Sequence, residues 1–102
     1  MTTGLPYIMR DDRFEWSDAK ARANLEKHEV SFEAALLVFD DPGGIDEIDD
    51  REDYGEDRFV VTGMVDRRLL TVTYTERDGR IRIISARKAT RREQNSYFGQ
   101  KL

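Results

Sequence analysis

The chain has 102 residues, 37% of them charged and 38% apolar, with a net charge of −4. That is room for one small domain over 1–102, whose ends, 1–12 and 99–102, are expected to be flexible. With no cysteine and one histidine, a disulfide framework, a thiolate zinc site, a cysteine nucleophile and a two-histidine acid–base pair within one subunit are excluded.

No apolar run approaches the roughly 18 residues of a membrane span. The opening ten residues lack the basic and apolar regions of a signal peptide, so a cytoplasmic protein is expected. Residues 13–16 read as a short strand. Ser17 is placed to cap a helix that runs to about His28, with Asp18 favourable at its positive end. The apolar face of that helix is thin, mainly Ala21 and Leu25, while Lys20, Asn24 and His28, four residues apart, form one polar stripe. Ser31 caps a second helix, in which Phe32, Ala35, Leu36 and Phe39 fall at i, i+3, i+4 and i+7 and face a core. Asp41-Pro42-Gly43-Gly44 ends it.

A short strand at 45–48 follows inside an acidic segment. Strand character then runs over 58–65, 69–76 and 80–86, with turns at Asp66-Arg67 and Asp78-Gly79. Thr90 and Glu93 make a capping box that opens a last helix at 91–98. The order β-α-α-β-β-β-(β)-α is that of an α+β domain, with a twisted antiparallel sheet and its helices on one face.

The middle strand sends Leu70, Val72, Tyr74 and Glu76 one way and Thr71, Thr73 and Thr75 the other. A two-residue Asp78-Gly79 turn pairs Thr75 with Arg82 and Thr73 with Ile84, and puts Ile81, Ile83, Ser85 and Arg87 on the apolar face. A three-residue turn with a glycine bulge slips the register by one and swaps those faces. In either register one sheet face carries threonines and arginines with no obvious apolar cover.

Charge is distributed unevenly. Residues 40–57 hold ten acids and one base, and residues 77–102 hold eight bases and two acids. An arginine cluster on an acidic chain is the footprint of a polyanion site, or else of a surface that pairs with the acidic loop of the same molecule. The acidic stretch lacks the spacing of a calcium loop, so no metal site is expected there, and it reads as a solvated, mobile loop.

Three stretches carry a resemblance. The first is Phe14-Glu15-Trp16-Ser17-Asp18-Ala19-Lys20, Asn24 and Lys27-His28, followed by Ser31-Phe32 and Ala35. The second is Val38-Phe39-Asp40-Asp41-Pro42, and the third is Tyr74-Thr75-Glu76-Arg77 with Arg82-Ile83-Ile84-Ser85-Ala86-Arg87-Lys88-Ala89-Thr90-Arg91-Arg92-Glu93 and Tyr97. Together they resemble the BrnT-type toxins of type II toxin–antitoxin pairs over nearly the whole chain. Two positions depart from the pattern: Ser17 where the family often has Asp, and Glu29 where it usually has Gly. Gly at the latter would end the helix in a left-handed turn, so a differently built helix end is expected.

The resemblance implies a RelE-like ribonuclease fold and a toxin that cuts RNA and inhibits translation. It also implies a ribbon–helix–helix antitoxin similar to BrnA, expected as a 2:2 heterotetramer, that meets operator DNA on the toxin's behalf. No cofactor and no membrane partner are expected. Metal-free cleavage uses the substrate's 2′-hydroxyl as nucleophile, so it needs a base, an acid and cations at the phosphate. Arg87 is the first candidate for the cation, with Arg82 and Arg91 next. Glu76 is a candidate base or a partner that orients Arg82 or Arg87, and His28 a candidate acid–base group or a helix-end cap. Arg77, Arg80, Lys88 and Tyr97 are candidate RNA contacts, Tyr97 alternatively a packing residue. The competing reading is a non-catalytic RNA- or antitoxin-binding module of the same fold.

Overall fold

The computed structural model describes Ile8–Met9 and residues 13–100. Ile8–Met9 forms β1 and Phe14–Trp16 forms β2. Two helices follow, α1 over Asp18–His28 and α2 over Phe32–Leu36, the latter running on as a 3₁₀ turn, Leu37–Asp40. Then come β3 (Ile45–Ile48), β4 (Phe59–Val65), β5 (Arg68–Arg77), β6 (Arg80–Lys88) and α3 (Arg91–Gly99). The expected flexible ends meet β1 on one side and the last turn of α3 on the other; the rest of those ends lies outside the described residues.

Each helix starts where a hydroxyl can serve its unpaired N–H groups. Ser17 Oγ accepts from the Lys20 N–H at 3.3 Å, Ser31 Oγ from Ala34 at 3.0 Å and Thr90 Oγ1 from Glu93 at 3.2 Å. The helix ends are less regular. Glu29 takes φ 60° and its N–H donates to the Leu25 carbonyl, so α1 closes in the left-handed turn that glycine favours, without the glycine. A side chain costs about 1 kcal/mol in that conformation. Glu29→Gly is therefore expected to raise the melting temperature by a few degrees in thermal denaturation; a fall would mean that the Glu29 side chain has a stabilising partner.

The second helix shows the cost of a short element. Phe32 and Ala35 are buried as expected, and Leu36 and Phe39 pack half-buried against the core. After Leu36 the chain tightens to three residues per turn, and this rotation brings Val38, outside the expected stripe, fully into the core. The turn rests directly on β4 at Gly63. A Cβ there would sit 3.0 Å from Val38 Cγ1 and 3.1 Å from its carbonyl oxygen, so the strand needs a glycine at this point.

The sheet is six-stranded in the order β1-β2-β6-β5-β4-β3. It is mixed, which corrects the expected all-antiparallel sheet. From β3 to β6 it is an antiparallel meander, but β2 lies parallel to β6, with Phe14 opposite Ile81 and Glu15 opposite Arg82. The core lies on the side of α1 and α2, where Phe14, Trp16, Phe32, Leu70, Val72 and Ile83 are essentially inaccessible. Aromatic rings are in contact through it: Phe14 on Phe39 at 5.2 Å, Phe39 on Tyr74 at 5.0 Å and Trp16 edge-on to Phe32 at 5.8 Å.

The β5–β6 hairpin combines features of both expected registers. Asp78 (φ 53°) and Gly79 (φ 77°) make the two-residue turn, and Thr75 faces Arg82. Between Thr73 and Tyr74 the register then shifts, leaving Ile84 as the extra residue of a bulge. Beyond the bulge Ser85 pairs with Thr73 and Arg87 with Thr71. Ser85 and Arg87 thus turn onto the threonine face, opposite to the face a simple two-residue hairpin assigns them.

The last helix departs from the expectation of helices on one face. Glu93 on its first turn meets Thr71, and Arg92, Glu93 and Ser96 share a hollow with Val60 and Thr62, all strand positions that point away from the core. Asp41 ties this side to the helix side: its carboxylate accepts from the Gly43 and Met64 N–H groups, both at 2.8 Å, and from the Tyr97 hydroxyl at 2.6 Å.

Candidate functional site

Because α3 covers only one end of the threonine face, a cleft of about 730 Å³ stays open beside it. Its floor is Thr73, Ser85 and Arg87 of the sheet; one wall is the α3 start, with Thr90, Arg92 and Glu93. His28 enters from the end of α1, and the opposite wall is Glu47 with the turn Asp49-Asp50-Arg51.

Two unusual connections position this set. The first is Asn24, only 7% exposed, on a helix whose expected apolar residue Leu25 is half exposed. Past Arg82, β6 has no β2 residue opposite it, and the Asn24 amide takes the place of one. Its Nδ2 donates to the Ala86 carbonyl at 2.8 Å and the Val30 carbonyl at 2.9 Å, and its Oδ1 accepts from the Ala86 N–H at 3.0 Å. The grip is one residue before Arg87, and one helical turn along the same stripe lies His28.

The second connection is the Arg87–Glu93 pair. Arg87 Nη1 donates to Glu93 Oε1 at 2.8 Å and Nη2 to Oε2 at 3.0 Å, while Nη1 also reaches the Lys88 carbonyl at 3.2 Å. Glu93 is fixed in turn by the Thr71 hydroxyl at 2.9 Å and the Thr90 N–H at 2.8 Å, the second half of the capping box. Burial alone would raise the Glu93 carboxyl, but the hydrogen bonds from Arg87, Thr90 and Thr71 and the guanidinium charge outweigh it and hold the group at about 2.

This has a pH consequence. A depressed carboxyl contributes stability that is present above its unfolded value, near 4.5, and is lost as pH falls toward 2. With the half-exposed Arg87 screened by water, the contribution is on the order of 2 kcal/mol. The stability gap between wild type and Glu93→Gln in urea unfolding is expected to be constant above pH 5 and to close between pH 4.5 and 2. A gap independent of pH would mean that the pair is not ionic.

The acidic wall is tied to the sheet through Asp49. Asp49 is buried; its N–H donates to the Arg58 carbonyl at 2.8 Å, and its carboxylate takes a two-point contact from Arg51 at 2.8 and 2.9 Å. The Arg51 contact holds the Asp49 carboxyl below its usual range, against the opposing effect of burial. Among the described residues no three His, Asp or Glu side chains group closely enough to hold a metal ion.

The remaining expected site residues lie elsewhere. Arg82 is paired with Glu15 on β2 at 2.6 Å. Glu76, Arg77 and Arg80 sit at the β5–β6 hairpin tip around Asp78-Gly79; Glu76 is five residues along β5 from the Arg87 position, roughly 17 Å. Arg91 is exposed on the first turn of α3 and does not line the cleft. Lys88, the next strand position after Arg87, lines a different hollow. Tyr97 is buried, and its hydroxyl, bonded to Asp41, is pushed up to about 12. Of the expected set, the cleft brings together Arg87 and His28. The candidate residues named from the sequence leave out Glu93, Arg92, Ser85 and Thr73, although the uncovered threonine face on which Thr73 lies is legible there. For Glu93 the signal was present, since a capping box turns the glutamate back toward the residues before the helix.

The α+β sheet thus carries an open polar cleft in which Arg87 is held by a two-point ion pair with Glu93. The family described as the ribonuclease toxin BrnT of type II toxin–antitoxin systems matches residues 16–93, and the chain belongs to that family. No curated protein matches the chain.

Proposed function

We propose that the chain is a metal-independent, RelE-like endoribonuclease that cleaves RNA at the Arg87 cleft and thereby inhibits translation. In this reaction the substrate's 2′-oxygen forms a bond to the adjacent phosphorus and the P–O5′ bond breaks. The 2′-hydroxyl loses its proton to a base, and the departing 5′-oxygen takes one from an acid. The products are a 2′,3′-cyclic phosphate and a 5′-hydroxyl.

The observation that carries this reading is how Arg87 is held. Glu93 occupies the end of the guanidinium and the Lys88 carbonyl takes a further Nη1 hydrogen. The adjacent donors on Nε and Nη2 are left for two oxygens of a phosphate, the geometry an arginine fork suits best. A brace of this kind removes the cost of ordering a long side chain when charge develops on the phosphate. His28 on the same cleft is the proton carrier in this proposal. Glu93, fully engaged and held anionic, is a support rather than a base. Arg92 and Arg91 extend the cation track along the start of α3 for the flanking backbone. Arg77 and Arg80, paired at the tip of the β5–β6 hairpin, carry the threonine face on toward a longer RNA, whereas Arg82 is taken up by Glu15 and Glu76 lies on the opposite face.

In the same reading the chain acts in the cytoplasm as one domain. Its cognate antitoxin is a BrnA-like ribbon–helix–helix protein in a 2:2 assembly, and operator DNA is contacted through that partner.

The test is cleavage of a defined RNA in EDTA by wild type and His28→Ala. Cleavage by the wild type that leaves 2′,3′-cyclic ends, and a loss of about 10²-fold or more in the variant, is the expected result. Products with 3′-hydroxyl ends, or activity that EDTA abolishes, would overturn the mechanism.

A further inference from the structure

A second cleft, of about 430 Å³, lies around the β4–β5 turn and the last turn of α3 and shares no lining residue with the Arg87 cleft. It is large enough for side chains of a ligand. Its apolar surface comes from Met64, Leu69 and Phe98, the last half exposed. Its charged groups are Arg67, Arg68 and Lys88, with no acid among the lining residues. None of these three cations has an ion pair with another described residue. On a chain of net charge −4, three such cations around an apolar floor are a local inversion of the surface.

The backbone adds an independent observation. Asp66 and Arg67 form the two-residue turn between β4 and β5, at φ 47° and 70°. Such turns favour glycine at the second of these positions. The hairpin itself requires this conformation, so Arg67 stands where glycine would cost about 1 kcal/mol less.

We propose that this cleft docks an acidic amphipathic segment of a partner protein, with an apolar side chain over Met64, Leu69 and Phe98 and carboxylates on Arg67, Arg68 and Lys88. Charge complementarity selects the acidic partner, and the apolar floor selects a peptide over a nucleic-acid backbone, which would use the cations and leave the floor wet. The inference rests on the antitoxin named above as the partner; what it adds is the surface, separate from the reaction cleft.

The experiment measures binding of the purified cognate antitoxin and, separately, of a short single-stranded RNA, to the full chain and two variants. Arg67→Gly relieves the turn while it removes a cation, so its melting temperature is expected to rise even as antitoxin affinity falls about tenfold. Arg68→Glu with Phe98→Ser is expected to reduce antitoxin affinity by 10²-fold or more, with RNA cleavage unchanged. Affinity for the antitoxin equal to wild type in both variants would overturn the surface, leaving the ribonuclease reading in place. A loss of RNA affinity with antitoxin binding intact would also overturn it, and make the cleft an RNA track. Failure of the wild type to bind the antitoxin at all would overturn the choice of partner.

Discussion

Replacing Arg87 by alanine is expected to lower the rate constant for RNA cleavage about 10³-fold while the chain stays folded. One preorganised donor to a developing oxyanion is worth about 10²–10³ in rate, and arginines on transferring phosphoryl groups reach the upper end of that range. The substitution costs stability, because Glu93 loses two of its four hydrogen bonds, those from Nη1 and Nη2. The Thr71 hydroxyl and the Thr90 N–H remain to satisfy the carboxylate, so the loss is about 1–2 kcal/mol, well within what a small domain survives. Arg87→Lys keeps the charge and loses the fork, and should recover no more than a tenth of wild-type activity. Glu93→Gln leaves Arg87 in place without its ionic brace. There kcat is expected to fall about tenfold with KM nearly unchanged, since the brace acts on geometry in the transition state rather than on binding. Single-turnover cleavage of one oligonucleotide by all four proteins, after circular dichroism shows each folded, separates these cases. An Arg87→Ala variant with wild-type kcat would move the chemistry out of this cleft.

The elements were legible in the sequence because their signals are local. Three hydroxyl caps mark where the helices begin, the Asp78-Gly79 turn and the alternation of β5 mark the hairpin, and β3 falls at Ile45–Ile48 as read, whereas β1 at Ile8–Met9 lies in a stretch expected to be a flexible end. What was not legible depends on pairings between distant segments. The bulge at Ile84 moves Arg87 from one face of the sheet to the other, yet no residue near 84 announces it, since isoleucine is an ordinary strand residue. The parallel placement of β2 beside β6 needs contacts across more than sixty residues. The face crossed by α3 is decided by Glu93 reaching Thr71 and Tyr97 reaching Asp41. The arginine richness of the C-terminal third could not separate Arg87, which lines the cleft, from Arg82 held by Glu15 or Lys88 on another surface. Charge is a regional property, whereas a site is a matter of which side of a strand each residue takes.

Asn24 shows the same gap at a single residue, and its removal should produce the largest change in stability. From the sequence it was one member of a polar stripe on α1. In the fold its amide completes the hydrogen bonding of Ala86 and Val30, both fully buried. Asn24→Ala leaves two carbonyls and one N–H without partners where water has little access. At about 1 kcal/mol for each bond, the expected loss is roughly 3 kcal/mol, a large share of a small domain's stability. The melting temperature should fall by about 10–20 °C. Asn24→Asp is the sharper control. It keeps an acceptor for the Ala86 N–H but sets a negative charge against two carbonyl oxygens, so at neutral pH it should be at least as unstable as the alanine variant. On acidification its protonated carboxyl regains one donor, and the difference between Asp and Ala should shrink or reverse. Because Asn24 holds α1 against β6 next to Arg87 and carries His28 one turn further on, RNA cleavage should also drop in both variants under conditions where they remain folded. A loss of less than about 1 kcal/mol in Asn24→Ala would show that the helix is held to the sheet by its other contacts, and that the spacing of His28 and Arg87 does not depend on this amide.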